Sequence, residues 1–364
     1  MTTPPCLSAV APIRDTVVAD LPRRASRRLR IAHAVLHATV RKGLDAAVWG
    51  DRHDMLNPRV ALAISTRVDH LLWPLRPRRG TRLRTVDFPK FRAEWVWDRT
   101  VADPNSEQRA AIIYFHGGGL LACGLNSHRR LVARIARTGG VPLLNVDYRQ
   151  IPAAHVTETL EDCVEAYRYL LDQGFMAERI VVMGDSAGGG LSFSLAMAAR
   201  DRGLPMPGAI VALSPWANYD STIRQTHPNN RTDALVSADG YALPAQWGIA
   251  IDGELDPSWS PVNGNFTGLP PTLIHVSSTE VLLPDAETLA ARCAEAAVPL
   301  TLQIWDNAFH VFQVAADLLP DARDAIAEIG AFVQRTLDTP MPAERAAALL
   351  DTRRSESIDV RGNG

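Results

Sequence analysis

An apolar run, Ile180 to Met183, leads straight into Gly184-Asp185-Ser186-Ala187-Gly188, and a helix-favouring run, Leu191 to Ala199, follows. A serine between glycines on a strand-to-helix turn narrows what such a chain can be. The turn is tight and strained, so the flanking positions have no room for side chains. A serine hydroxyl becomes a useful nucleophile only when it is exposed on such a turn beside a base. Five residues of this kind also arise by chance. A second segment makes the pattern specific: His116-Gly117-Gly118-Gly119 follows another apolar strand, Ala111 to Phe115. Its peptide N–H groups, together with that of Ala187 just after the serine, can meet a developing oxyanion.

In this order the two segments resemble the hormone-sensitive-lipase-like family of α/β-hydrolase esterases. The resemblance runs from about Val86 to Val333. It includes Asp147-Tyr148-Arg149 after the strand Pro142 to Val146, Asp256-Pro257 with Ser260-Pro261, and His310-Val311-Phe312. It implies an α/β-hydrolase fold: a mostly parallel central sheet, helices on both faces, and a helical cap over the site. It further implies a serine esterase for short- to medium-chain acyl esters. Such an enzyme needs no metal or organic cofactor, and its oxyanion donors would be Gly117, Gly118 and Ala187. Acyl transfer and amide or carbamate hydrolysis use the same residues. Non-catalytic receptors on this fold are marked by loss of the histidine, and His310 is present.

The family order is nucleophile, acid, histidine. After Ser186 the histidines are His227, His275 and His310. His227 sits in a polar loop-like stretch. His275 lies inside an apolar strand, Thr272 to Val276, and is expected to be a core histidine. His310 follows the strand Leu300 to Trp305 and a short loop, at the end of the sheet where α/β folds gather their chemistry. His310 is the expected base. For the acid, the family pattern places Glu280, thirty residues before His310, at the triad position. Asp285 is the alternative, with the N-cap of a helix starting near Ala286 as its structural role. Either carboxylate could fix the imidazole tautomer.

Charge is uneven. Residues 1–100 carry 19 Lys and Arg against 9 Asp and Glu, a net of +10; the remainder carries 19 against 31, a net of −12. Arg23, Arg24, Arg27, Arg28 and Arg30 open an amphipathic helix with Ile31, Val35 and Ala38 on one face. Such a helix either rests on anionic lipid or packs its stripe on the protein body, and the second is expected. No nucleic-acid module accompanies the charge, and no uncharged apolar run reaches membrane-spanning length. The N-terminus lacks the pattern of a secretory signal. Cys6, Cys123, Cys163 and Cys293 are scattered, with no metal-binding or disulfide spacing, as in a cytoplasmic protein with reduced thiols. Cys123 closely follows the oxyanion segment and either lines the active site or is a small buried residue, and the second is expected. The expected partner is a small ester; a homodimer is left open.

The organisation is expected to comprise an N-terminal helical cap segment (1–80), the first part of the core (81–217), a cap insertion (218–268), the second part of the core (269–340) and a tail (341–364). Helices are expected at Arg23–Arg41 and Pro58–Leu72, and an opening hairpin at Thr85–Phe88 and Ala93–Trp97. Beyond 110, strands alternate with helices, the signature of a parallel sheet. Trp216, Tyr219, Trp247 and Trp259 either line the pocket or pack the cap.

Overall fold

Repeated apolar runs of five or six residues, too short for helices and joined by amphipathic ones, fit a sheet buried on both faces. The computed structural model describes residues 17–20, 24–55, 57, 65, 67, 69, 77, 79–106 and 109–338. Its strands are β1 (Val17–Asp20), β2 (Thr81–Asp87), β3 (Arg92–Asp98), β4 (Ala111–Phe115), β5 (Leu143–Asp147), β6 (Ile180–Asp185), β7 (Ala209–Leu213), β8 (Thr272–Ser277) and β9 (Leu300–Trp305). They form one sheet in the order β1-β9-β8-β7-β6-β4-β5-β3-β2. The β2–β3 and β3–β5 pairings are antiparallel and the rest parallel.

Every residue of β4, β6, β7 and β8 is buried. Each large aliphatic side chain taken out of water there contributes about 1.5–3 kcal/mol. β1, which sequence reading missed, adds a parallel edge beside β9 through the register Val17 to Leu300.

The helices are α1 (Arg27–Ala38), α2 (Val40–Arg52), α3 (Leu125–Gly139), α4 (Val156–Asp172), α5 (Ala187–Asp201), α6 (Thr222–Thr226), α7 (Asn229–Thr232), α8 (Ala238–Pro244), α9 (Leu283–Glu295) and α10 (Pro320–Asp338). Within the insertion, α8 ends at Pro244 and one turn of π-helix, Ala245–Ile249, continues it. The single N-terminal helix expected over Arg23–Arg41 is two, broken at Thr39 (φ −121°, ψ −76°). Most of Pro58–Leu72, the tail from 339 and Cys6 lie outside the described residues.

The apolar stripe of α1 does not pack as expected. Ile31 and Val35 are 53% and 55% exposed, and Ala38 is exposed as well. Leu29 is buried instead, with Ala32 and Leu36 packed beside it against the core. The rotation follows from a tether at the helix start. Ser26 caps α1 by accepting the Leu29 N–H, and its own N–H and hydroxyl both donate to Asp321.

After β1, β2 and β3 the chain runs through β4, steps out to β5, then crosses back over β4 to β6 and onward to β9. The strand order therefore reverses beside β4. In open α/β sheets that crevice, at the carboxyl ends of the strands, is where ligands bind.

Candidate active site

Ser186 follows β6 at this reversal and stands at φ 52°, ψ −119°, a conformation that non-glycine residues rarely adopt. The turn closes only because its neighbours lack side chains. A Cβ on Gly188 would come within 1.9 Å of the Phe115 carbonyl oxygen. The elbow is pinned by the Ser186 N–H donating to the Leu213 carbonyl (2.8 Å) and the Trp216 N–H donating to that of Ser186 (2.8 Å). Ser186 heads α5, whose N-terminal end carries a partial positive charge that favours a developing anion.

Glu280 lies three residues beyond β8 and is buried, while His310 lies five residues beyond β9. The structure brings them together: His310 Nδ1 and Glu280 Oε1 are hydrogen-bonded to each other. The second carboxylate oxygen accepts from the Ser214 hydroxyl (2.9 Å) and the Ser277 N–H (3.1 Å). The two loops are also stitched to each other, with Ser277 Oγ donating to the Ala308 carbonyl (2.7 Å). Burial alone would depress the His310 pKa. The charge and hydrogen bond of Glu280 outweigh it and hold the imidazole above its ordinary value.

Asp285 is elsewhere. It accepts from the N–H groups of Ala217 (3.0 Å) and Asn218 (2.9 Å) and pairs with Arg224 (2.7 Å), all buried but Asn218. The N-cap role expected for it is also corrected. α9 begins at Leu283, so Asp285 sits inside the first turn and its carboxylate reaches across to the segment after β7.

The His116–Gly119 segment follows β4. Gly118 has φ 119°, and a Cβ there would lie 1.9 Å from the Ala122 carbonyl oxygen. Among the described residues the N–H groups of Gly118, Gly119 and Ala187 have no protein acceptor. Gly117 differs from expectation. Its N–H donates to Asp185 Oδ1 at 3.0 Å and is not free for a substrate. A Cβ on Gly117 would also strike Asp185 Oδ2 at 2.2 Å, so this glycine serves the contact between loop and elbow.

Sequence reasoning missed the buried network around Asp185. Its carboxylate accepts from Tyr114 Oη (2.7 Å) and lies 3.3 Å from His128 Nε2. Burial alone would raise the Asp185 pKa, and the histidine's charge overrides it, so Asp185 titrates low. His128 is shifted up despite its own burial. Nothing in the local pattern Asn126-Ser127-His128 announces this, because the pairing spans 57 residues. Asp233, also unforeseen, is buried near Glu280. Burial and then the Glu280 charge push its pKa up.

His275 is a buried core histidine, as expected, with its pKa depressed by burial to about 3. His227 bonds locally, accepting from the Asn229 N–H at 3.1 Å. Cys123, Cys163 and Cys293 are free thiols. Cys123 lines the active-site cavity, and burial pushes its thiol up to about 11, so it is not a ready thiolate.

The cavity, about 1080 Å³, reaches from Gly118, Ser186 and His310 to apolar walls that include Leu44, Leu121, Leu243 and Trp247. Of the four aromatic residues singled out in and just before the insertion, only Trp247 lines it. Trp216 and Tyr219 are buried in the core, and Trp259 packs edge-on to His155. The N-terminal helices meet the insertion directly. Arg41 donates to the carbonyls of Asn230 (2.8 Å) and Asp233 (3.0 Å), and His37 Nε2 lies 3.0 Å from that of Arg231.

A family model described as the alpha/beta hydrolase fold matches residues 112–314. The esterase LipU of Mycobacterium tuberculosis is 39% identical over 292 residues, covering 76% of this chain and 98% of the relative. The chain belongs to the hormone-sensitive-lipase-like family of α/β-hydrolases. The carboxylesterase/phospholipase LipF of the same organism is 36% identical, covering 78% of this chain and 77% of the relative. Among solved structures, EstE5 soaked with ethyl alcohol superposes with a TM-score of 0.73 at 31% identity, over 86% of this chain and 99% of that one. An esterase from the bacterial hormone-sensitive lipase family gives 0.70 at 32% identity, over 81% and 98%. The family member described here is a carboxylesterase-like serine hydrolase in this sense. No helix among the described residues is long and apolar enough to cross a membrane.

Proposed function

We propose that the protein hydrolyses carboxylic esters of short- to medium-chain acids, with Ser186 as nucleophile, His310 as base and Glu280 as the orienting acid. The observation that carries this reading is the contact of Glu280 with His310 Nδ1, at two strand ends beside the strained Ser186 turn. It leaves Nε2 to take the serine proton as Oγ attacks the carbonyl carbon. The oxyanion is held by the free N–H groups of Gly118, Gly119 and Ala187, which replaces Gly117 by Gly119 in the expected set. As the tetrahedral intermediate collapses, His310 gives the proton to the leaving alcohol. Water then loses a proton to the same nitrogen, attacks the acyl-enzyme, and Ser186 leaves with that proton. Residues 1–80 and 218–268 act together as the cap in this reading, and the apolar cavity wall receives the acyl chain.

A chain-length series of p-nitrophenyl esters tests it, combined with labelling by a fluorophosphonate probe. Activity should peak at acyl chains of roughly four to eight carbons, and the probe should label wild type but not Ser186→Ala. Triolein emulsion as the best substrate, or a probe that fails to label, would contradict it.

A further inference from the structure

Tyr241 is the fourth residue of the insertion's longest helix, α8, not counting the Ser237 cap, whose hydroxyl oxygen accepts the Gly240 N–H at 3.2 Å. Its ring is buried and held on several sides. Trp216 packs against it at 5.7 Å, the Arg224 guanidinium lies 5.8 Å over its face, and the His310 ring meets it edge-on at 6.0 Å. A ring gripped in this way has one place for its hydroxyl, and that place is the catalytic centre.

The hydroxyl oxygen is 3.3 Å from His310 Nε2 and 3.4 Å from Nδ1, and it also faces the Ser186 side chain. Near-equal distances to the two ring nitrogens mean that it is not in line with either lone pair. Nδ1 is already engaged by Glu280. Tyr241 therefore stands beside the imidazole without blocking the nitrogen that must carry the proton. Three other buried tyrosines spend their hydroxyls on structure: Tyr114 on Asp185, Tyr148 on the His116 carbonyl, Tyr167 on the Pro205 carbonyl. A buried tyrosine hydroxyl is normally partnered, and that of Tyr241 is directed only at the reacting groups among the described residues.

We propose that Tyr241 is a catalytic residue carried by the cap, donating a hydrogen bond to the oxygen that departs in acylation and to the water that attacks in deacylation. This rests on the triad reading above. In acylation the Ser186 Oγ–carbon bond forms and the serine proton passes to His310 Nε2. The carbon–alkoxide bond then breaks, and the proton moves from Nε2 to the leaving oxygen while Tyr241 donates to that same oxygen. In deacylation the water oxygen accepts from Tyr241 as its proton moves to Nε2. Tyr241 keeps its own proton throughout. Its phenol is pushed well above the usual value by burial and by the neighbouring carboxylates.

The test is Tyr241→Phe, which keeps the gripped ring and removes the hydroxyl alone. kcat/KM is measured on butyrate esters of p-nitrophenol, phenol and ethanol, with pre-steady-state kinetics on the first. A nitrophenolate departs without help, so its kcat/KM should change less than about threefold. An alkoxide needs the donor, so ethyl butyrate should lose on the order of 10- to 100-fold. Slowed deacylation should also produce or enlarge a burst of p-nitrophenol. A ring serving only to pack the cap would not make the loss depend on the leaving group. Equal losses across the three esters, or unchanged rates for all of them, overturn the role of Tyr241 and leave the triad reading standing. A wild-type protein that turns over none of them overturns both.

Discussion

The carboxylate of Asp285 lies on the guanidinium of Arg224, 2.7 Å away with both side chains buried, and makes no contact with His310. Burial raises the Asp285 pKa, while Arg224 and two backbone N–H groups oppose the shift. Glu280, five residues earlier, holds the imidazole. Two acids that compete for one role in the sequence are thereby separated into two roles.

Paired substitutions separate those roles. Glu280→Gln should lower kcat by roughly 10³- to 10⁴-fold, because the imidazole loses its tautomer and its counter-charge. Asp285→Asn should leave Arg224 buried without its anion, at a cost of about 3–5 kcal/mol. That loss should be visible as a lower denaturation midpoint, with kcat much less affected. Loss of chemistry in Asp285→Asn at full stability would reverse the assignment.

Ser186→Ala should reduce ester turnover by about 10⁴-fold or more while substrate binding and melting temperature stay close to wild type. The strained turn at φ 52° is a backbone feature that alanine, with the same Cβ, keeps. Retention of several per cent of the rate would place the nucleophile elsewhere.

The pH profile has a defined sign. His310 acts as a base only when neutral, and Glu280, against the effect of burial, holds its pKa above the ordinary 6.5. kcat/KM should therefore fall as pH drops, with the midpoint of its acidic limb above 6.5. In Glu280→Gln the burial remains and the raising charge is gone, so the midpoint should move down. A wild-type limb centred below 6.5, or one unmoved in the variant, would count against the pair.

Asp185→Asn tests the loop that carries the proposed oxyanion donors. The Asp185 carboxylate accepts from the Gly117 N–H at 3.0 Å and faces His128 at 3.3 Å, so the change weakens the tie between loop and elbow and leaves His128 without its anion. The expected result is a fall in kcat of roughly 10- to 100-fold with little change in KM, since those donors act mainly on the transition state. Steady-state kinetics on p-nitrophenyl butyrate read this directly; a change confined to KM would argue that Asp185 shapes the substrate pocket instead.

Much of the architecture was legible because it is written in local pattern. The run Ala111–Phe115 matches its strand at both ends, since five apolar residues bounded by turn signals have few other solutions. The glycine-flanked serine and the glycine run after β4 were readable for the same reason, because their neighbours must be small for the backbone to close. β1 was not, for a four-residue edge strand carries no periodicity of its own and is recruited by β9.

The sequence alone thus determined the glycine-flanked turn at Ser186, the alternation of strands and helices beyond residue 110, and the two carboxylates that could meet His310. Tertiary structure decided the rest. It set Glu280 against His310 and Asp285 against Arg224, and it gave the Gly117 N–H to Asp185. It also turned Ile31 and Val35 to solvent by tethering Ser26 to Asp321, and brought Tyr241 to His310 across 69 residues. Each of these depends on which distant partner a polar group finds. Local periodicity specifies the backbone that carries such a group, while the partner is set only when the elements pack.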